Sequence, residues 1–539
     1  MMSIKKLGRL AGAATLVMAA GCKPSLDVTN PNSPDVGRAL ASPEDVKNLA
    51  VSAVNSWYLG STDLHPYLAM QVTADASTAN FGNFGMRFNN LQPRIAYANN
   101  SAGGDRDVAA APWDNSYSAL GAANDVLRAF AGGLQLDGGA DETEQFKELA
   151  QFVQAAELTN LALIFDQAFV VDETMQPGDK PELVPYKDVS AAAMAKWDAL
   201  IAASNGKTYV YDQAVLPLEG TTLSAVKLNR FANTMAALTM AYTPRNAAEA
   251  ATVDWAKVAA YADKGIGTGS AGAPFDITVV GDNNTWYSYI DYYGEEPSWM
   301  RVDMRLIHRM DPSSPAEFNG TIPPKGTSAD ARFTSDYKYE GDVIGDPSRG
   351  IYMQSPYSHI RYAFYKRTSS TRAVGPVPYL LAAESDLVRA EALIRSGGDL
   401  ATAASLINKT RVGRGNLPPA TAADGVAGLL ADIDYERDVE LLNTSGFTLF
   451  QRRHVDGLQA GTWRHLPIPA KELETLALPI YTFGGVGKEQ SLISLGSPRL
   501  SFGLSSLSSA RMLELPNGSY MTLRTPSSDS HGPRGDIFR

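Results

Sequence analysis

The 539-residue sequence holds one cysteine, Cys22. A single thiol forms no intrachain disulfide and builds no cysteine metal site. The six histidines, His65, His308, His359, His454, His465 and His531, never pair as HExxH or HxxxH, so no zinc site is expected and neither metal nor cofactor is implied. No G-x-S-x-G elbow of a serine hydrolase is present. Positive charge is not in excess: 47 Lys and Arg stand against 58 Asp and Glu, net −11, which argues against a nucleic-acid partner. Charged residues make up only 19%. After the N-terminus no further long apolar run occurs, so nothing downstream is expected to span a membrane.

What is present begins at the N-terminus. Lys5, Lys6 and Arg9 precede the apolar stretch Leu10–Ala20, which ends Met18-Ala19-Ala20-Gly21-Cys22. The stretch is half the roughly 20 residues of a spanning helix, and the layout over 1–21 is that of a secretory signal. Small residues before Cys22 resemble a bacterial lipobox, which implies that Cys22 becomes a lipidated mature N-terminus. Residues 22–41, rich in Pro, Asn, Ser and Asp, then read as a tether. Two or more acyl chains hold a protein stably on a membrane, each buried CH₂ contributing about 0.8 kcal/mol.

From Ser42 the pattern is helical. Ser42 can cap, Pro43 suits a first turn, and Glu44 and Asp45 favour the positive helix end. Small and aliphatic residues at three-to-four spacing predict helices over about 113–131, 141–166, 187–204, 223–242 and 254–264. Leu380, Ala383, Leu387, Ala390 and Ile394 form one stripe. Ser396-Gly397-Gly398-Asp399 breaks it, and Leu400, Ala403, Ala404 and Ile407 start a second. This is a helical hairpin of about tetratricopeptide-repeat size. A third helix is expected over about 425–443. Residues 60–110 and 266–375 are rich in Gly, Pro, Asn, Asp and aromatics and resist a helical reading. They are too long for simple connections, and long loops on a scaffold are where binding usually resides. Residues 486–539 read as an atypical, poorly ordered tail.

Within the second loop region, Trp286, Tyr287, Tyr289, Tyr292, Tyr293 and Trp299 fall within fourteen residues. Flat aromatic rings stack on the C–H faces of sugars and lose little entropy on ordering. Asn283, Asn284 and Asp291 are the polar candidates beside them. The competing reading is that most of these rings fill the core, most of all Trp299, which leads into the packed-looking Met300–Leu306. A second, smaller group, Phe81, Asn83 and Phe84, lies in a Gly-rich loop. Asp282-Asn283-Asn284 reads as a turn rather than a calcium site. The adjacent carboxylates Glu295 and Glu296 point apart and read as a solvated pair rather than glycosidase machinery.

The C-terminal motifs carry a resemblance. Tyr379-Leu-Leu-Ala-Ala-Glu384, Arg389-Ala-Glu391-Ala392, Leu406-Ile407-Asn408 with Arg411, Glu436-Arg437-Asp-Val-Glu440-Leu441, and Pro467-Ile468-Pro469-Ala-Lys-Glu472-Leu473 follow one another in order. Together with the lipobox they resemble the SusD/RagB family of outer-membrane nutrient-binding lipoproteins. The resemblance implies a mostly α fold over 42–485. Tetratricopeptide-like helix pairs would form a scaffold beneath a loop-rich, irregular ligand lobe drawn mainly from 60–110 and 266–375. It implies a lipid-anchored protein of the outer membrane facing the cell exterior. Such a protein would do no covalent chemistry and would pass oligosaccharides, or in some members peptides, to a SusC-like TonB-dependent transporter. Within it Glu436, Arg437 and Glu440 read as a buried structural ion network. A helical-repeat adaptor that binds no small ligand is the alternative of a different class.

Overall fold

The computed structural model describes residues 40–175, 178–444 and 446–487. The signal and Cys22, nearly all of the tether and the tail from 488 onward lie outside the described residues.

Ser42 begins the first helix, its Oγ accepting from the Asp45 amide at 3.3 Å with Pro43 in the first turn. This helix, α1 (Pro43–Ser61), is followed by α2 (Leu64–Thr73), α3 (Asp107–Ala131), α4 (Ala140–Ile164), α5 (Tyr186–Ser204), α6 (Ala225–Tyr242), α7 (Trp255–Asp263), α8 (Ala382–Arg395), α9 (Leu400–Arg411) and α10 (Gly425–Glu440). α1 packs on α3 and α4, and from α3 to α9 each helix packs on its successor; α10 closes against α8 and α9. Taken as α1/α3, α4/α5, α6/α7 and α8/α9, they form the tetratricopeptide-like pairs of a mostly α scaffold. Its core is joined by rings: Trp57 of α1 meets Phe152 of α4 edge-on at 4.6 Å, and Phe152 meets Trp197 and Phe231 of the next two helices at 5.7 and 5.1 Å.

The predicted hairpin is α8/α9, with Leu387, Ala390, Ile394, Ala403, Ala404 and Ile407 buried together. Gly397 takes a left-handed φ of 73° at the break, and Asp399 restarts the chain by accepting from Ala401 N at 2.9 Å. Leu380, expected on the helical stripe, instead ends a strand. The helix expected over about 113–131 begins earlier, at Asp107, with Pro112 inside it.

The region 60–110 is more helical than expected. All ten residues of α2, LHPYLAMQVT, are buried, so the segment shows no polar face and no 3.6-residue period to read. Of the short strands among the described residues, four tie the lobe together at the site and to the scaffold: β1 (Ser77–Thr78), β2 (Ile277–Asp282), β3 (Arg301–Val302) and β4 (Val374–Leu380). β2 and β4 pair antiparallel from Ile277↔Leu380 to Asp282↔Val374; β1 and β3 pair as Ser77↔Val302 and Thr78↔Arg301. Tyr379 of β4 meets Trp57 at 4.9 Å, which fastens the lobe to the scaffold core.

Candidate functional site: an aromatic platform

The β1–β3 ladder brings the two loop regions together. Just beyond it the Phe81 amide donates to the Trp299 carbonyl at 3.3 Å. The chain then turns tightly through Gly82, Phe84 and Gly85, all with positive φ. Only glycine fits the last of these, since a Cβ on Gly85 would lie 2.2 Å from Val108 Cγ2. This turn brings Phe81 and Phe84 to Trp299. Phe84 stacks on the indole at 5.2 Å with planes 14° apart, and Phe81 lies 4.7 Å from it. Tyr293 meets both Trp299 and Phe84 edge-on at 4.9 and 5.3 Å. The run continues from Tyr293 to Tyr289 at 5.8 Å and from Tyr289 to Tyr287 at 4.8 Å. Beneath it lie Leu64, Leu68, Val72, Met86 and Met300.

Exposure sorts these rings. Phe81 is 41% exposed, Phe84, Trp299, Tyr287 and Tyr289 are half-buried, and Tyr293 is buried. Burial pushes the Tyr293 phenol up to about 12, and Tyr289 is likewise raised by burial and by Tyr287 beside it. Both phenols are therefore neutral donors at ordinary pH. The guanidinium of Arg367 lies 5.4 Å from the Trp299 ring centre, and its backbone amide is tied to Tyr292 O at 2.8 Å. Asn83 stands exposed between the two phenylalanines. An apolar surface of joined rings with polar groups at its edge can stack a flat, weakly polar ligand face while bonding its rim.

The residues expected from sequence divide. Tyr287, Tyr289 and Tyr293 belong to the platform. Tyr292 is buried behind Tyr293 at 4.9 Å. Trp286 is buried elsewhere, in the scaffold core 5.4 Å from Tyr58. Asp291 is buried and accepts from Ser288 Oγ at 2.7 Å; burial raises its carboxyl well above the usual range. Asn283 and Asn284 form the turn their sequence predicted. Asp282 Oδ1 accepts from the amides of Asn284, Thr285 and Trp286 at 2.7–2.9 Å, and Asn283 adopts φ 60°. Trp299, set aside as a packed residue, sits at the platform's centre, and Phe81 and Phe84 join it. Only the strand pairing, invisible in a two-residue ladder, unites them.

The carboxylates of Glu295 and Glu296 are buried, not solvated as expected. Glu295 accepts from His359 Nδ1, from Asn443 Nδ2 at 2.8 Å and from Tyr362 N at 3.2 Å. Glu296 accepts from Ser298 Oγ at 2.9 Å and Thr368 N at 3.1 Å. Each has enough donors locally to sit inside the lobe.

Glu436, Arg437 and Glu440 are buried but divide between two networks. Glu436 and Glu440 reach Arg332 at 2.6 and 3.2 Å, and Asp330 completes that cluster at 2.8 Å. Arg437 instead pairs with Glu391 at 2.8 Å, which also accepts from His454 at 3.0 Å. Burial alone would raise the Glu391 carboxyl, but Arg437 and His454 hold it well below the usual range.

A scaffold of helix pairs thus carries a loop lobe with a platform of joined rings. Among solved structures it matches SusD-like proteins. One is a SusD superfamily protein from Bacteroides vulgatus, with TM-score 0.55, 14% identity, 81% of this chain covered and 97% of that one. Another is a laminarin-binding SusD-like protein, with TM-score 0.57, 14% identity and coverage of 81% and 98%. A third is the surface glycan-binding protein A from Bacteroides uniformis, with TM-score 0.52, 14% identity and coverage of 81% and 99%. No family model and no curated protein sequence matches the chain. The chain has the SusD fold.

Proposed function

We propose that this chain is a cell-surface glycan-binding lipoprotein of the SusD/RagB family that captures oligosaccharides and delivers them to a SusC-like TonB-dependent outer-membrane transporter. The observation that carries the reading is the platform of Phe81, Phe84, Trp299, Tyr293, Tyr289 and Tyr287, joined ring to ring across two loop regions. Sugar rings present apolar C–H faces to such a surface and hydroxyls to its edge. Structures of the same fold named for laminarin and surface-glycan binding support an oligosaccharide ligand. In this reading the protein binds and does not catalyse. Attachment to the outer membrane falls, in the same reading, to lipid on Cys22, as the lipobox-like residues before it imply. Calorimetry of the full chain against a panel of glucan oligosaccharides and short peptides tests the proposal. Binding of peptides alone would overturn the glycan reading, and binding of neither would overturn the site.

A further inference from the structure

A cleft of about 320 Å³ opens at the other end of the β1–β3 ladder from the platform. There the Asp303 amide donates to Ala76 O at 3.0 Å, just before β1 and just after β3. Asp75, Asp303, Arg305, Tyr352, Arg452 and Gln459 form its walls, and none of them belongs to the platform.

Most of these groups are already engaged. Arg305 grips Asp438 with both terminal nitrogens, at 2.6 and 2.9 Å. Arg452 donates to the carbonyls of Ala74 and Gly457. Asp303 Oδ1 caps a short helix by accepting from Arg305 N at 2.8 Å. Burial and the neighbouring Asp75 charge push the Asp303 carboxyl up to about 7. Asp75 is the exception. It is 1% exposed, and its Oδ1 accepts from Arg94 and from Gln459 Nε2 at 3.0 Å. Its Oδ2 accepts no hydrogen bond; Arg452 Nη1 stands 3.7 Å away, an ion-pair distance without a bond. A buried carboxylate oxygen without a hydrogen-bond donor is left under-solvated, and a ligand that brings a donor makes up part of that loss.

The chemistry of the walls narrows the ligand. A cation would sit against Arg305 and Arg452, and among the described residues no group of three or more His, Cys, Asp or Glu is arranged to hold a metal ion. An anion would meet Asp75 and Asp303. A neutral hydroxyl suits both, because it can donate to a carboxylate oxygen such as Asp75 Oδ2 and accept from the second N–H of Gln459 Nε2, whose first is given to Asp75 Oδ1. The volume falls within the range of small-ligand sites.

We propose that this cleft is a second binding site, taking a neutral, hydroxyl-rich unit, a sugar ring held by hydrogen bonds rather than by stacking. It stands apart from the glycan reading of the platform, because the two sites share no residue.

Saturation-transfer NMR on the full chain tests it, with D-glucose and glycerol as probes. Ala316 lies exposed on the cleft's rim, so Ala316→Trp fills the mouth without entering the core, and Ala316→Ser is the control. The expected result is transfer to glucose in wild type and in Ala316→Ser, clearly reduced in Ala316→Trp where only the platform still meets glucose, with little transfer to glycerol. Equal transfer in wild type and Ala316→Trp, no transfer to glucose at all, or equal transfer to glycerol would each overturn the proposal. Failure here leaves the platform untouched, since Phe81 and Trp299 are intact in every variant.

Discussion

Phe84 and Trp299 stack at 5.2 Å with their planes 14° from parallel, although more than two hundred residues of chain separate them. One ring comes from a glycine turn and the other from the loop before β3, so their contact depends on a two-residue ladder. Phe81, the most exposed ring of the platform, extends that stack outward.

The platform is expected to carry the glycan affinity. Because Phe81 is the most exposed ring and Trp299 joins it to Phe84 and Tyr293, Phe81→Ala with Trp299→Ala should weaken oligosaccharide binding by about 2–4 kcal/mol, in line with aromatic anchors at other interfaces. Calorimetry against a bound glucan checks this. An unchanged Kd in a folded double variant would remove these rings from the site.

Trp286 is expected to behave differently. It was a ligand candidate by composition, yet it packs on Tyr58 in the scaffold core. Trp286→Ala should therefore destabilise the fold by about 3–5 kcal/mol, seen as a lower Tm. Tyr289→Ala, at a half-buried platform ring, should affect binding more than Tm. A Trp286→Ala protein with wild-type Tm and lost glycan binding would reverse this assignment.

These cases show what was legible in the sequence. α8 and α9 announced themselves by apolar stripes at three-to-four spacing, Leu387, Ala390 and Ile394 on one and Ala403, Ala404 and Ile407 on the other, and these are buried together. α2 did not, since all ten of its residues are buried. The aromatic content of the lobe was equally plain, but a ring's destination depends on strand pairing and turn geometry. Trp286 and Tyr287 are neighbours in sequence, and one enters the scaffold core while the other lies at the platform. Adjacent Glu295 and Glu296 looked solvated because nothing local announces His359, Asn443 or Thr368 as their partners.

Arg437 is expected to matter for stability and not for ligand. It is buried against Glu391 and lies 5.5 Å from the Tyr242 ring centre. Removing one member of a buried pair leaves the other charge uncompensated, which destabilises by about 3–5 kcal/mol. Arg437→Ala should lower the Tm clearly while oligosaccharide affinity in the remaining folded protein stays within about twofold. Lost affinity at unchanged Tm would place a binding function there instead.

Membrane attachment should rest on one atom. If lipid on Cys22 is the anchor, Cys22→Ala should move the protein from the membrane pellet to the soluble fraction, because no other acyl chain would remain to hold it. Pelleting that survives a high-salt wash in the variant would point to a different attachment.

The last expectation concerns pH. Glu157 of α4 is buried between helices, with Asn160 Nδ2 at 3.1 Å and Ser116 as its donors, and burial raises its carboxyl to about 8. Burial also raises Asp166, bonded to Tyr481 at 2.8 Å, to about 7. Each holds its proton more tightly folded than unfolded, so the native state binds more protons than the unfolded chain between about pH 4.5 and 8. The contribution of these two carboxyls to stability then falls as pH rises through that window. For Glu157 alone the full change is on the order of 5 kcal/mol. Glu157→Gln keeps the shape and the hydrogen bonds but cannot ionise. Thermal melts at pH 5 and pH 8.5 should show a large fall in Tm for wild type and a smaller one for Glu157→Gln, the two proteins diverging at the alkaline end. Parallel pH profiles would mean that Glu157 does not hold its proton in the fold.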